Sequence, residues 1–170
     1  MSGLNSTLQL NVIANLVATL DLAEAAVPLT KTYRTDLTSG VVAGTADVVW
    51  HDTRTIAPSG TDDLDLAGSI AGLLGGTATF VKIKGLIIAA AAANVNNCVV
   101  GAAAANPLTS ILGATHTLQI RPGAVFAVFA GALDAAGYAV VAATGDILRI
   151  ANGAAGTSVT YDIIVIGTSA

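Results

Sequence analysis

Charge is what this sequence has least of. Seven Lys and Arg and eleven Asp and Glu make up 11% of 170 residues, and the net charge is −4. So little positive charge excludes a nucleic-acid binder that works by neutralising phosphates. Intrinsic disorder is excluded by the opposite imbalance, because it requires low hydrophobicity and 54% of these residues are hydrophobic. Aromatics are only 4%, too sparse for the stacking platform of a single-strand binder. The lone cysteine, Cys98, rules out an intramolecular disulfide framework and fits synthesis in a reducing cytoplasm.

Long uninterrupted hydrophobic runs are missing too. The richest window, Leu86 to Ala105, is mostly Ala and carries Asn94, Asn96 and Asn97 at its centre, amides that are costly inside a bilayer. No transmembrane helix is expected. Met1 to Thr7 holds no Lys or Arg, and Leu8 to Leu20 is interrupted by Gln9, Asn11 and Asn15, so no secretory signal is expected either. The sequon Asn5-Ser6-Thr7 is then coincidental. With every charge outside, charged groups would cover only about 20% of the surface, below the roughly 25–35% of a well-solvated domain. That deficit points to surface buried in an assembly.

What is present is a series of short apolar runs cut by turn residues. Leu8, Leu10 and Val12 alternate with Gln9 and Asn11 as in a strand, whereas Asn15 to Ala26 fits either a strand or a short helix. Val48, Trp50, Asp52, Arg54 and Ile56 share one parity of a second strand, with the buried side left open. Asp62 to Ala67 alternates, and Gly68 to Gly76 suits a helical turn or a loop with a hydrophobic plug. Phe80 to Ala91 reads as a central strand. Strands follow at 98–101, 117–121, 124–130, 138–143, 146–152 and 158–167, separated by Asn106-Pro107, Arg121-Pro122-Gly123, Thr144-Gly145-Asp146 and Asn152-Gly153. A strand roughly every ten residues is the spacing of a sandwich or barrel. The Ala runs 89–93 and 102–105 are shorter than the roughly 12 residues an isolated helix needs. The expectation is one all-β domain, an antiparallel sandwich or jelly-roll-like barrel over 46–170, preceded by an extended N-terminal arm and first strands over 1–45.

Chemistry is hard to find. His51 and His116 show no metal-ligand spacing, and no H-E-x-x-H or C-x-x-C occurs. Cys98 stands in the apolar Asn97-Cys98-Val99-Val100, where cysteine behaves as a small hydrophobe. In Gly68-Ser69-Ile70-Ala71-Gly72 the serine comes one place too early for a nucleophile elbow. Asp62, Asp63 and Asp65 are the one acidic cluster, but alternation sends Asp62 to one face and the other two to the opposite face, against a cation loop. Glu24 has no acid or base partner at a recognisable spacing. No catalytic, cofactor-binding or metal-binding residue is assigned, no cofactor is expected, and the chain is read as a non-enzyme.

Several phrases nevertheless resemble a known group. Ala46-Asp47-Val48-Val49-Trp50-His51-Asp52-Thr53-Arg54-Thr55, Asp63-Leu64-Asp65-Leu66-Ala67-Gly68, Phe80-Val81-Lys82-Ile83-Lys84, Arg121-Pro122-Gly123, Gly137-Tyr138, Thr144-Gly145-Asp146 and Tyr161-Asp162-Ile163-Ile164-Val165-Ile166-Gly167 resemble small structural proteins of tailed bacteriophages. The likeness runs through most of 40–170 and carries no catalytic residue set. It implies a virion component made in the host cytoplasm. Together with the charge deficit, it suggests a capsid decoration or cement protein, a homotrimer clamping the major capsid protein, with no nucleic-acid or membrane partner. The alternative is a receptor- or carbohydrate-binding module of a tail fibre or baseplate, for which only Trp50, Tyr33, Tyr138 and Tyr161 could supply sugar-stacking faces.

Overall fold

The computed structural model describes residues 3–68 and 70–170; Ser69 of the near-elbow segment lies outside the described residues. Among the described residues every regular element is a strand. Eight strands form the body: β4 (Val48–Ile56), β5 (Thr61–Asp65), β8 (Lys82–Ala90), β9 (Cys98–Gly101), β10 (Thr117–Ile120), β11 (Val125–Phe129), β13 (Ile147–Asn152) and β14 (Val159–Thr168). One sheet runs β11-β8-β14-β4 and the other β10-β9-β13-β5, antiparallel throughout. Numbered one to eight along the chain, these strands give the sheet orders 6-3-8-1 and 5-4-7-2, the double Greek-key pairing of a jelly roll. The expected all-β sandwich is therefore what forms, and 80–91 supplies a central strand as anticipated.

The core lies between the two sheets. Trp50 and Ile56 of β4, Ile83, Leu86 and Ile88 of β8, and Tyr161, Ile163 and Val165 of β14 face Leu64, Cys98, Val100, Ile120, Leu148 and Ile150 of the other sheet. Burial of Trp50 and Ile56 settles which side of β4 turns inward, with His51, Thr53 and Thr55 outside. The turn Arg121-Pro122-Gly123-Ala124 is closed by Ala124 N–H to the Arg121 carbonyl at 2.9 Å. Pro fixes its second position, and Gly123 adopts φ +75° at the third, a conformation costly for any residue with a Cβ.

Two lysines that alternate in the sequence part company in space. Between β8 and β14 the register shifts by one residue, leaving Lys84 as a bulge between Ile83 and Gly85. The bulge keeps both Ile83 and Leu86 on the core side. It also buries Lys84 to 1% exposure, where its ammonium donates to the Asp134 carbonyl at 2.5 Å. The Asp134 carboxylate in turn accepts from Ala136 and Gly137 N–H, so a buried amine anchors a surface loop to the sheet.

The tertiary structure decides the readings left open and shortens one strand. Residues 15–26 are strand and turn: β1 (Ser6–Thr19) pairs rung for rung with β2 (Glu24–Ser39), and that ladder satisfies backbone groups a short helix would leave open at both ends. Within the expected arm, residues 6–39 thus give a hairpin, with the short β3 (Thr45–Ala46) pairing in parallel to the end of β2. The Ala runs are also without helix, since 89–90 complete β8. Strand 138–143 shrinks to β12 (Tyr138–Ala139) on β8, because Val141 turns back to bridge Gly145. Residues 70–78 form a small hairpin of β6 (Ile70–Ala71) and β7 (Thr77–Ala78), whose loop leaves Leu74 exposed.

Candidate functional site

The β1–β2 hairpin is the part of the molecule least accounted for by its own fold. Every residue from Gln9 to Arg34 is exposed. Fourteen paired rungs extend about 45 Å at the usual rise per residue, and a two-stranded ribbon of this kind is marginal in water on its own. Cross-strand partners share a face, so the register sorts the side chains. Leu10 with Tyr33, Val12 with Lys31, Ala14 with Leu29, Leu16 with Val27 and Ala18 with Ala25 lie on one side. Gln9 with Arg34, Asn11 with Thr32, Ile13 with Thr30, Asn15 with Pro28, Val17 with Ala26 and Thr19 with Glu24 lie on the other.

The first face is apolar except for Lys31, whose ammonium sits 5.7 Å from the Tyr33 ring centre. Leu16 is 73% and Val27 66% exposed. With Leu10, Val12, Leu29 and Tyr33 this face offers on the order of 600 Å² of apolar surface, at the upper end of the roughly 300–600 Å² of the largest patch on a soluble monomer. The second face is knit by polar contacts: Thr32 to Asn11 at 2.9 Å, Thr7 to Asp36 at 2.7 Å, and Arg34 to Asp36. Bonds from Arg34 and Thr7 hold the Asp36 carboxyl below its ordinary range.

At its base the ribbon is anchored. Leu8 and Leu37 are buried with Ala46 and Ile166 against the outer face of the β8–β14 sheet, flanked by Val49, Ile87 and Phe129. Leu8 belongs to the same face as Leu10 and Leu16, so the exposed apolar stripe continues from a packed cluster on the sandwich.

The residues considered for chemistry do not converge. His51 is exposed on the outer side of β4, and His116 lies in the turn before β10. Cys98 is fully buried, and desolvation pushes its thiol up, the reverse of what activates a nucleophile. Among the described residues no group of three His, Cys, Asp or Glu is placed to hold a metal. Two of the cluster's aspartates are each taken by an arginine. Asp63 receives both Arg149 nitrogens at 2.6 and 2.7 Å across the β5–β13 pair, and these bonds lower its pKa. Asp62 receives Arg54 Nε at 2.5 Å and a terminal nitrogen at 2.9 Å, plus the Tyr161 hydroxyl at 2.8 Å. Asp65 caps Ala67 N–H. Glu24 is exposed beside the hairpin turn.

The Arg54–Asp62–Tyr161 group is structural. β4 and β5 are edge strands of opposite sheets, and Arg54 spans the gap between them, with a further bond to Asp52 at 3.0 Å. Grooves of about 360 and 400 Å³ flank it; Trp50 lines the first but is only 4% exposed, and Tyr161, at 0%, lines neither. The asparagines within the Ala-rich window prove equally structural. Asn94 pairs its amide with both backbone groups of Thr160 at 2.8 Å, extending the β8–β14 ladder. Asn96 reaches Asn152, Ala154 and Thr157.

Comparison of the chain with models of known protein families, with curated proteins and with solved structures finds no match.

Proposed function

We propose that this chain is a structural protein of a bacteriophage particle, a capsid decoration or cement protein that stabilises contacts between major capsid subunits. The observation that carries the reading is the hairpin: a ribbon about 45 Å long, anchored at one end and apolar along one face, which no other element among the described residues covers. A jelly roll is a scaffold found in particle-forming and lectin proteins alike, so the fold alone does not choose between them. The ribbon supports the first, because an apolar stripe on a rigid base suits clamping a neighbouring subunit. Of the four rings considered for a sugar, Trp50 and Tyr161 are buried and Tyr138 is half-buried, which leaves the exposed Tyr33 on the hairpin as the one open stacking face for the carbohydrate-binding alternative.

Imaging of intact particles labelled for this protein should place it on the head. Particles lacking it, or carrying it with Leu16→Ser and Val27→Ser on the apolar face, should lose resistance to heat and to internal pressure. A tail location with unchanged head stability would overturn the reading, and glycan binding by the isolated protein would replace it with the alternative.

A further inference from the structure

The two edges of the hairpin are built differently. Pro28, which has no N–H, stands opposite Asn15, and the N–H groups of Thr38 and Gly40 point to β3. Even-numbered residues of β2 therefore turn their backbone groups away from β1, and by the register the odd-numbered residues of β1 turn theirs away from β2. On β2 this outer edge is blunted by Pro28, and the strand carries Glu24, Lys31, Arg34 and Asp36, the usual protections against edge-to-edge pairing. On β1 nothing blunts it. From Ser6 to Thr19 the strand has no charge, no proline and no glycine, and its outer edge pairs with no strand among the described residues.

We propose that β1 pairs antiparallel with β1 of a second copy, giving a four-stranded sheet β2-β1-β1-β2 about a two-fold axis. Three features select a copy of the same chain. A strand with no charge meets no like charge in itself, and offers no charge by which a foreign strand would be chosen. The outward residues are Thr7, Gln9, Asn11, Ile13, Asn15, Val17 and Thr19, and full overlap sets Ile13 opposite itself on the axis and Asn11 opposite Asn15 of the other copy. Ile13, 79% exposed on a face it shares with Asn11, Asn15 and Val17, thereby gains an apolar partner, and the two asparagines gain amide partners. Finally, blunted β2 edges on both flanks stop the sheet at four strands, so the contact closes and does not run on as a fibre. Odd rungs opposite odd rungs also keep Leu10, Val12 and Leu16 of both copies on one face, doubling the apolar stripe. This pairing is two-fold where the decoration-protein reading suggested a trimer, and it stands whether or not the chain sits on a capsid.

The test is the mass in solution of the purified full chain by light scattering or sedimentation across a concentration series. The wild type should reach two copies. Asn11→Pro with Asn15→Pro removes outward donors while keeping the β1–β2 ladder, and should weaken association by at least about a hundredfold, given four lost hydrogen bonds per pair. Thr30→Pro, on the blunted edge, should leave it unchanged. Ile13→Lys should dissociate the pair, and mixing it with Ile13→Glu should restore a two-copy species. A wild type that stays single at every concentration, or any assembly, threefold included, that survives the β1 prolines, overturns the proposal. Unchanged thermal unfolding of the variants shows that the sandwich is intact.

Discussion

Leu8 fills the space that a side chain on Gly85 would need. A Cβ built on Gly85 would lie 2.6 Å from Leu8 Cδ1, so the hairpin is seated on the sandwich where β8 leaves its backbone bare, just beyond the Lys84 bulge. Anchorage of the ribbon thus depends on a missing side chain in one strand and a leucine in another, 77 positions apart in the numbering.

Gly85→Val should unseat the hairpin base, costing about 1–3 kcal/mol as overpacking does. Leu8→Ala alone should also destabilise, by about 2–4 kcal/mol for a buried leucine. Combined, the two should cost less than their sum, because the smaller residue makes room for the larger. Denaturant unfolding of the four proteins measures the coupling, and strict additivity would show that Leu8 and Gly85 do not share that space.

Tyr161 ties the sandwich to alkaline pH. Burial first, and then its bond to Asp62, push the phenol well above its ordinary 10.0. A group whose folded pKa is raised contributes stability that is complete below its unfolded value and lost as pH climbs toward the folded one. Stability should therefore fall above pH 10, with Tyr161 ionising as the chain unfolds and not before. Tyrosinate absorbance followed alongside circular dichroism checks this. Tyr161→Phe should cost about 1–2 kcal/mol at neutral pH for the lost hydrogen bond and flatten the alkaline decline.

Asn152 is the polar residue on which one end of the sandwich converges. At 6% exposure, its amide donates to the carbonyls of Ala57 and Thr157 and accepts from Asn96. Asn152→Ala should cost about 3 kcal/mol, since several buried partners lose their bonds at once. Asn152→Leu should be no better despite its apolar volume. Thermal unfolding of both gives the answer, and a stable leucine variant would mean that water replaces the amide.

Cys98 should resist alkylation. Buried in β9 with its thiol pushed up by desolvation, it should react with iodoacetamide at pH 8 only at the rate of unfolding, and promptly in denaturant. Mass spectrometry over time follows the adduct. Rapid labelling of the folded chain would reopen the nucleophile reading that its apolar neighbours argue against.

The sequence by itself determined the strand content. Turn residues such as Arg121-Pro122-Gly123 and Asn152-Gly153 act locally, through φ and hydrogen bonds within a few residues, and so they can be read without a fold. Period-two alternation likewise announced β4 and β5. What only the tertiary structure decided are matters of partnership. Asn94, Asn96 and Asn97 argue in the sequence only against a membrane, because the partners of the first two at 152–160 are some 60 positions away and that of Asn97, Gln119, lies on another strand; Lys84 looked like Lys82 until a register shift on β14 turned it inward. Residues 15–26 left helix and strand open, since local propensity does not see the rungs that β2 supplies. The charge deficit was visible from composition, but where it falls was not. Pairing of β1 with β2 fixes the parity of every side chain, and that parity gathers Leu10, Val12, Leu16, Val27 and Leu29 into one uncovered face beside one unguarded edge.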